Sequence, residues 1–177
     1  MKGGTLPTRI GSFKGDYGFL SNFSPVDVKL WSTGTGMVFA RDPQPGSWNP
    51  VENYPSTEHA YQAAKFLTPK VRENFQMRGM SPGDAKGLAA HLKEKGLVRK
   101  DWENVSLEIM HDLLVQKFTY SILRRKLLST FQAELVEGNW WHDNFWGNCL
   151  CEDCEDIPGL NHLGRLLMEV RDAHVVR

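Results

Sequence analysis

The stretch YPSTEHAYQAAKF, residues 54–66, separates an extended region of the sequence from a helical one. Ser56 or Thr57 can cap a helix that begins here, because a side-chain oxygen at that position accepts a hydrogen bond from the first helical turn. Residues 8–55 are predicted to be mainly extended, and most of the chain beyond them helical. We therefore expect an α+β fold, a single helix-dominated domain over residues 1–177 with a small antiparallel sheet.

The predicted sheet comes from two neighbouring stretches with strand-like patterns. VDVKLW (26–31) alternates apolar and polar residues, which is typical of a half-buried strand. MVFA (37–40) is a candidate antiparallel partner across a turn at residues 34–36. RDPQPGSWNP (41–50) contains three prolines and a glycine, so we expect a surface loop there.

The predicted helices carry recognisable start signals. Proline follows Thr68 and Ser81, which favours helix starts at both places. Asp101 is suited to cap the longest predicted helix. The last three predicted helices are WENVSLEIMHDLLVQKF (102–118), SILRRKLLSTF (121–131) and NHLGRLLMEVRDAH (161–174). Residues 138–160 are rich in Gly, Asn, Asp, Cys and Trp and are expected to be irregular.

Charge and hydropathy exclude several classes of protein. Lysine plus arginine equals aspartate plus glutamate at 21 each, whereas proteins that bind nucleic acid non-specifically are usually basic. The balance favours a small-molecule enzyme, and any contact with nucleic acid should be local. The sequence contains neither the apolar core of a signal peptide nor a run of about 18 apolar residues that could span a membrane. We expect a cytoplasmic protein, cytosolic or nuclear, with no membrane partner.

Cys149, Cys151 and Cys154 are the three cysteines of the chain. Their odd number and tight spacing argue against a secreted disulfide framework. Zinc sites usually have four ligands, and His142 and His162 are the candidates for a fourth. We expect free thiols, no metal ion and no cofactor; a structural zinc ion is the alternative.

Aromatic residues are concentrated in two loops on either side of the helix start. GDYGFLSNFSP (15–25) can place aromatic faces and the amide of Asn22 around a flat or sugar-like ligand, or it can form a tightly packed turn. GNWWHDNFWGNCLCEDC (138–154) contains three tryptophans. So much indole surface is expected to be buried, either against a base or against the protein core.

Glu58 lies in the first turn of the helix predicted at 57–67, where the helix dipole favours a carboxylate. Helical spacing puts it on a face that adjoins Tyr61, Gln62 and Lys65. From this pattern alone, such a polar row indicates a solvated face, and a catalytic carboxylate is the alternative.

Five stretches, in order along the chain, resemble the NADAR superfamily and cover nearly the whole sequence. They are DYGFLSNFSP, YPSTEHAYQAAKF, RKDWENVSLEIMHDLLVQKF, DNFWG and GLNHLGRLLMEVR. The resemblance implies a YbiA-like α+β fold and an N-glycosidase, a hydrolase that cleaves the bond between a ribose C1′ and a nitrogen. It also implies that Glu58 is a catalytic carboxylate and that Asp143, Trp146 and Trp102 occupy further family positions.

Two departures from the YbiA-like form of the family bear on the substrate. The Pro-rich loop at 41–50 is an insertion, and the cysteine triplet is additional. Both favour family members that remove ADP-ribose from guanine bases in DNA over the riboflavin-pathway branch. The predicted function is therefore an ADP-ribosyl hydrolase acting on guanine in DNA or nucleotides. The alternatives are hydrolysis of phosphorylated riboflavin intermediates, a non-catalytic ADP-ribose-binding module and a purely structural helical domain.

The resemblance and the chemistry together give an expected site. An N-glycosidic bond breaks through an oxocarbenium-like transition state, which Glu58 would stabilise while Asp143 positions water or a ribose hydroxyl. The leaving nitrogen needs a proton or a hydrogen bond, for which the candidates are Lys65, His59 and Asn22. The expected substrate-binding residues are Tyr17, Gly18, Phe19, Asn22, Phe23, His59, Gln62, Lys65, Trp102, Trp146, Gly147 and Asn161.

The expected ligand is ADP-ribose or another ribosyl phosphate, and ADP-ribosylated DNA is a further candidate partner. Asn161 and the backbone near Gly159 are candidates for phosphate binding, since a helix N-terminus attracts anions. The aromatic residues expected to stack on the base or the ribose ring are Phe19, Phe23, Trp102 and Trp146.

Overall fold

The computed structural model describes residues 7–33, 36–43, 45 and 50–175. The chain divides into two compact units. We call Asn22–Lys117 the central unit, and Met1–Ser21 together with Phe118–Arg177 the terminal unit. The single domain over 1–177 stays a prediction.

The secondary structure mixes short strands with longer helices. The strands are β1 (Arg9–Ile10), β2 (Pro25–Ser32), β3 (Val38–Phe39), β4 (Val51–Ser56), β5 (Glu134–Leu135), β6 (Gly138–Asn139) and β7 (Asn148–Cys149). The α-helices are α1 (Thr57–Ala63), α2 (Pro69–Arg72), α3 (Pro82–Glu94), α4 (Trp102–Lys117), α5 (Ser121–Leu128) and α6 (His162–Val175). Shorter 3-10 helices occupy Gly15–Leu20, Glu73–Gln76 and Glu152–Cys154. The mixture confirms the α+β class, and within the described part of the chain no helix is long and apolar enough to cross a membrane.

The antiparallel sheet lies in the central unit, with β2 between β3 and β4. Val28 of β2 lies opposite Tyr54 of β4. Val26, Val28 and Leu30 are buried, and the residues between them are exposed, because successive side chains of a strand point to opposite faces. The predicted strand at 26–31 and its antiparallel partner are confirmed.

The early loops differ in part from the sequence prediction. The predicted turn at 34–36 and loop at 41–50 lie partly outside the described residues. Gly15–Leu20 lies in a region predicted to be mainly extended but forms a 3-10 helix, which agrees with the packed turn given as the alternative for residues 15–25. It closes with a hydrogen bond from Ser21 N to Gly18 O at 3.1 Å, so short-range turn bonds satisfy this backbone in place of a strand ladder.

The helix starts follow the capping signals in the sequence. Ser56 precedes α1, and its hydroxyl accepts a hydrogen bond from His59 N at 3.3 Å. Ser81 and Asp84 form a reciprocal capping box at the start of α3, with bonds of 3.1 and 3.0 Å. Gly96, two residues beyond α3, has φ of 70°, a left-handed conformation that glycine adopts without strain. The predicted starts at Ser56 and Ser81 are confirmed.

A buried arginine joins the sheet to the helices of the central unit. Arg72 donates to both carboxylate oxygens of Glu52, at 2.8 and 2.6 Å. It also donates to the carbonyls of Phe66 and Leu67 at 3.0 and 2.7 Å. Burial raises the pKa of Glu52, but hydrogen bonds from Arg72 and Tyr54 outweigh this effect and hold that pKa below its usual value. The pair is 20 residues apart in sequence, and no local pattern indicates it.

In the terminal unit, α6 is anchored by close contacts to β5 and the segment before it. A Cβ at Gly164 would collide with the carbonyl of Leu135, so only glycine allows the helix to approach this closely. Further along α6, Arg171 Nη1 donates to Thr130 Oγ1 at 3.0 Å and to the carbonyl of Ala133 at 2.8 Å. The predicted final helix is confirmed.

Candidate functional site

Glu58 is the second residue of α1 and is only 7% exposed. Its backbone N–H donates to the carbonyl of Asn22 at 3.1 Å, and its Oε1 accepts from Gln62 Nε2 at 2.7 Å. Gln62 is 4% exposed. The solvated face indicated by the sequence pattern is therefore wrong for these two residues, because α1 packs against α3, α4 and the sheet.

Three buried oxygens on residues that adjoin Glu58 in sequence or bond to it have no hydrogen-bond partner within the described part of the chain. They are Asn22 Oδ1, Thr57 Oγ1 and Gln62 Oε1. The amide nitrogen of Asn22 is engaged, since it lies 3.5 Å from Met110 Sδ. A buried polar atom left unpaired costs about 1–3 kcal/mol. Such atoms on residues that adjoin or bond to one buried carboxylate favour a bound polar ligand or water near it.

His59 has both ring nitrogens in contact with structural partners. Nδ1 lies 2.8 Å from Ser56 Oγ, and Nε2 lies 3.1 Å from the carbonyl of Met80. Because a carbonyl only accepts, Nε2 carries the proton and Nδ1 accepts from the serine hydroxyl. Burial lowers the pKa of His59, and the hydrogen bond to Met80 opposes this effect only in part. His59 thus ties α1 to the segment before α3, and its geometry speaks against a role as proton donor.

Lys65 follows the end of α1, and its ammonium group lies over two aromatic rings. Its Nζ lies 5.6 Å from the ring centroid of Tyr61 and 5.7 Å from that of Trp102, which is within cation–π range. The two rings are 4.9 Å apart and inclined at 58°. Burial lowers the pKa of Lys65 to about 8, while the charge of Glu58 raises it and that of Lys93 lowers it further. Lys65 can therefore gain or lose a proton near neutral pH.

A cleft of about 320 Å³ opens beside Lys65 and Trp102, a size within the range of small-ligand sites. The guanidinium of Arg99 at its wall already donates to Asp101 at 2.7 and 2.8 Å and to the carbonyl of Val38 at 3.0 Å. The residues that line the cleft are Lys65, Lys93, Val98, Arg99, Lys100, Trp102 and Glu103. Its lining therefore carries an excess of positive charge suited to an anionic ligand.

Lys65 and Trp102 were expected at the site from the sequence, whereas Lys93 and Lys100 were not. Lys93 lies near the end of α3, and Lys100 precedes α4; both are exposed. An exposed lysine is typical of any protein surface, and no local pattern marks these two. Only the packing of α3 and the segment before α4 brings them to the same cleft.

Four further residues of the expected site, near the start of the chain, are partly or largely exposed. Tyr17, Gly18 and Phe19 lie in the first 3-10 helix of the terminal unit and are half-buried. Lys126 Nζ is 5.7 Å from the ring centroid of Phe19. Phe23, in the central unit, is 47% exposed, so its ring is accessible for stacking.

Asp143 and Trp146 belong to a loop between β6 and β7 that side-chain hydrogen bonds hold in place. Asp143 Oδ1 accepts from Trp146 N at 2.8 Å. Asn139 donates to the carbonyl of Asp143 at 2.7 Å and accepts from its N–H at 3.2 Å. A Cβ at Gly147 would collide with the carbonyl of Glu137, which requires glycine there. The loop therefore has one well-defined backbone path.

The tryptophans of this loop have different environments. Trp140 and Trp141 are 64% and 55% exposed. Trp146 is half-buried and meets the ring of Phe145 edge-on, with centroids 5.1 Å apart. Burial of all three indoles in the protein core, one of the two outcomes expected from the sequence, is thus wrong for Trp140 and Trp141.

Asn161 holds the start of α6 to the preceding strand region. Its Oδ1 accepts from Glu137 N at 3.1 Å, and its Nδ2 donates to the carbonyl of Leu135 at 2.9 Å. Its backbone N–H donates to the carbonyl of Gly147 at 3.2 Å. These polar groups already have partners, which speaks against the expected phosphate contact of Asn161.

Among the described residues, three cysteines and one histidine of the terminal unit form a group that could hold a metal ion. The ligating atoms of His142, Cys149, Cys151 and Cys154 all lie within 4.8 Å of one another. His162, the other histidine considered for a zinc site, packs its ring 4.6 Å from that of Phe145.

Comparison with known families covers both units of the chain. The NADAR domain family matches residues 11–174. The chain belongs to the NADAR domain family. The resemblance seen in the five sequence stretches is thereby confirmed.

Curated relatives and a solved structure support the same assignment. The chain is 34% identical to the N-glycosidase YbiA of Escherichia coli (strain K12) over 158 residues, 89% of this chain and 81% of that protein. It is 33% identical to an N-glycosidase of Nostoc punctiforme over 159 residues, 88% of this chain and 85% of that protein. It is 35% identical to the maize chloroplastic riboflavin biosynthesis protein PYRR over 164 residues, but spans only 23% of its length.

The NMR structure of E. coli YbiA resembles the whole fold. The TM-score is 0.69 at 30% identity, with 97% of this chain and 88% of that chain covered. The YbiA-like α+β fold expected from the sequence is therefore confirmed.

Proposed function

We propose that this chain removes ADP-ribose from guanine bases, in DNA or in nucleotides. With curated N-glycosidases as relatives over most of its length, it is an enzyme that hydrolyses N-glycosyl bonds. The observation that supports this substrate is the lysine-lined cleft beside Trp102. ADP-ribose combines a ribose with a diphosphate and a base, and it therefore suits a cleft that offers both cations and an aromatic face.

Glu58 is proposed to stabilise the positive charge that develops on the ribose ring as its bond to nitrogen breaks. A buried carboxylate is effective there because little water screens its charge. The same group can accept a proton from the attacking water. Such a group typically contributes about 10²–10⁴ to the rate.

The ribose hydroxyls are proposed to donate to the acceptors beside Glu58. Asn22 Oδ1 and Gln62 Oε1 are buried and lack a partner among the described residues. A hydroxyl that donates to one of them removes the cost of leaving that oxygen unpaired. This arrangement would select a sugar over a ligand without hydroxyl groups.

Lys65 is the best-placed donor of a proton to the leaving nitrogen. With its pKa lowered to about 8, it is mainly charged at neutral pH and yet releases a proton more readily than an ordinary lysine. His59 has both nitrogens engaged, and an asparagine amide such as that of Asn22 does not titrate. The adjacent Lys93 and Lys100 are proposed to bind the phosphates.

Asp143 is proposed as a second carboxylate that positions water or a ribose hydroxyl, on the strength of the D-x-x-W-G motif. Asp143→Asn should lower turnover without unfolding the loop. Asparagine retains the Oδ1 that accepts from Trp146 N and loses only the charge. The chemistry requires no metal ion or redox cofactor.

The test uses a DNA oligonucleotide with one ADP-ribosylated guanine, and mass spectrometry measures released ADP-ribose. Wild type should release it, and Glu58→Gln should be at least about 100-fold slower. Glu73→Gln is the matched control, since Glu73 is an exposed carboxylate at another helix start. Urea unfolding of each variant checks that the fold is intact. Wild-type turnover by a folded Glu58→Gln would overturn the proposal.

A second candidate substrate is a phosphorylated riboflavin intermediate, favoured by the similarity of this chain to the maize riboflavin biosynthesis protein PYRR. The same enzyme preparation is assayed with both substrates. Turnover of the flavin precursor alone would assign the chain to that reaction. Tight binding of ADP-ribose without product from either substrate would instead identify a binding module.

A further inference from the structure

The terminal unit contains a cluster of three thiols and one imidazole that the proposed reaction does not use. His142 Nδ1 is 3.2 Å from Cys154 Sγ and 3.3 Å from Cys151 Sγ. Cys149 Sγ is 3.2 Å from Cys151 Sγ. All four ligating atoms lie within 4.8 Å of one another, so they surround one small volume.

These separations suit a tetrahedral metal ion better than a disulfide bond. Zinc bonds of about 2.3 Å to sulfur and about 2.0 Å to nitrogen place tetrahedral ligand atoms roughly 3.5–3.8 Å apart. The shortest separations in the cluster, 3.2 and 3.3 Å, and the upper limit of 4.8 Å bracket that range. A disulfide needs its sulfur atoms about 2.05 Å apart, and all three cysteines are free thiols.

The four side chains come from two places along the chain: His142 from the loop between β6 and β7, and the cysteines from β7 and the turn that follows it. Cys149 lies in β7, where its N–H donates to Asn144 Oδ1 at 2.8 Å. Cys151 and Cys154 lie at the two ends of a 3-10 turn that follows. His142 has φ of 63°, a conformation that is uncommon for a residue with a side chain and costs energy. Its ring contact with the thiols offers a reason for that conformation.

We propose that His142 and the three cysteines bind one structural Zn²⁺ ion. Thiolates and imidazole together are the ligands that zinc prefers in proteins. Four protein ligands leave no open position for water or substrate, which is typical of a structural site. On binding, the thiols release their protons to solvent and the imidazole coordinates through Nδ1.

The ion would fix the loop that carries two residues of the expected active site. His142 is adjacent to Asp143, whose Oδ1 accepts from Trp146 N at 2.8 Å. Coordination of His142 from one side and of the cysteines from the other would clamp this loop to β7. Its role is therefore to position Asp143 and Trp146, and the ion itself takes no part in the reaction.

The test measures metal in the full-length protein purified under reducing conditions with zinc in the growth medium. Mass spectrometry of the digested protein should find one zinc ion per chain. Cys151→Ser and His142→Asn should each lose most of it, whereas His91→Asn, an exposed histidine on α3, should retain it. Removal with a strong chelator should lower the melting temperature and change tryptophan fluorescence, and added zinc should restore both.

Titration of the metal-free wild type with Co²⁺ keeps the proposal testable if the variants do not fold. Tetrahedral thiolate coordination gives intense visible bands and sulfur-to-cobalt charge transfer, which support the site. The hydrated-cobalt spectrum together with no co-purifying zinc would overturn it. So would a disulfide between two of the cysteines in protein kept under reducing conditions, because that bond would consume two ligands.

Discussion

Gln62 Nε2 donates a hydrogen bond to Glu58 Oε1 at 2.7 Å. The two residues are one turn apart on α1, where side chains four positions apart lie on the same face. Both are buried. The helix therefore fixes the orientation of the carboxylate before any substrate binds, and an enzyme gains when such a group needs no reorganisation during the reaction.

Replacing Gln62 should weaken both catalysis and substrate binding, because Gln62 orients the Glu58 carboxylate and is proposed to accept from a ribose hydroxyl. A hydrogen bond to a charged group contributes about 1.5–3 kcal/mol, so Gln62→Leu should lower kcat about 10- to 100-fold. Steady-state kinetics on the active substrate measures the effect, with Gln132→Leu, an exposed position in the terminal unit, as control. An unchanged kcat in folded Gln62→Leu would show that the carboxylate needs no such support.

The pH dependence of turnover should report Lys65. Its pKa is lowered to about 8 by burial, so it is protonated below that pH and loses its proton above it. If it donates a proton to the leaving group, kcat should fall as pH rises through about 8. In Lys65→Arg this limb should disappear, along with most of the activity, because arginine stays protonated.

Lys70→Arg, an exposed lysine on α2, is the control for the pH profile. It should keep both the activity and the limb near pH 8. A limb that persists unchanged in Lys65→Arg would assign the titration to another group.

Because of Lys117, the free energy of unfolding should increase as pH rises above neutrality. Burial lowers its pKa to about 7 in the folded chain, from an ordinary value of 10.5. Between these values the unfolded chain binds a proton that the folded chain does not, so the free energy of unfolding increases with pH. The slope from this one group is at most about 1.4 kcal/mol per pH unit. Below pH 7 both states are protonated and the slope vanishes.

Urea unfolding at several pH values from 7 to 9 measures this slope, in the window set by the lowered pKa of Lys117. Lys117→Met should remove it, since the variant has no amine to titrate. Lys70→Met should leave the wild-type slope unchanged. Equal slopes in wild type and Lys117→Met would mean that Lys117 is charged in the folded protein.

Gly147 should not tolerate a side chain. A Cβ there would collide with the Glu137 carbonyl and crowd Asn139 Nδ2, so Gly147→Ala should destabilise the protein by about 1–3 kcal/mol. Gly87→Ala is the matched control. It lies within α3 with nothing within 4 Å of the added Cβ, and it should stabilise by up to about 1 kcal/mol. Equal unfolding midpoints for the two variants would contradict this reading of the loop.

Predictions that depend on neighbouring residues were the accurate ones. The alternation in VDVKLW predicted the buried face of β2, and Ser81 with Pro82 predicted the start of α3. Hydrogen bonds within one turn, or the two-residue period of a strand, decide these features. GDYGFL lies in the region predicted to be mainly extended, but short turn bonds satisfy its backbone, as in the packed turn that was the alternative for this segment.

The sequence by itself determined the α+β class, the main helix starts and the family, and the family motif led to the proposal that Glu58 is catalytic. Only the tertiary structure decided that Glu58 and Gln62 are buried and that Lys93 shares a cleft with Lys65. It also decided that His142, and not His162, lies next to the cysteines. Capping and strand patterns act over a few residues. Burial and side-chain clustering depend on which distant segments pack together, and no local pattern in the chain encodes that choice.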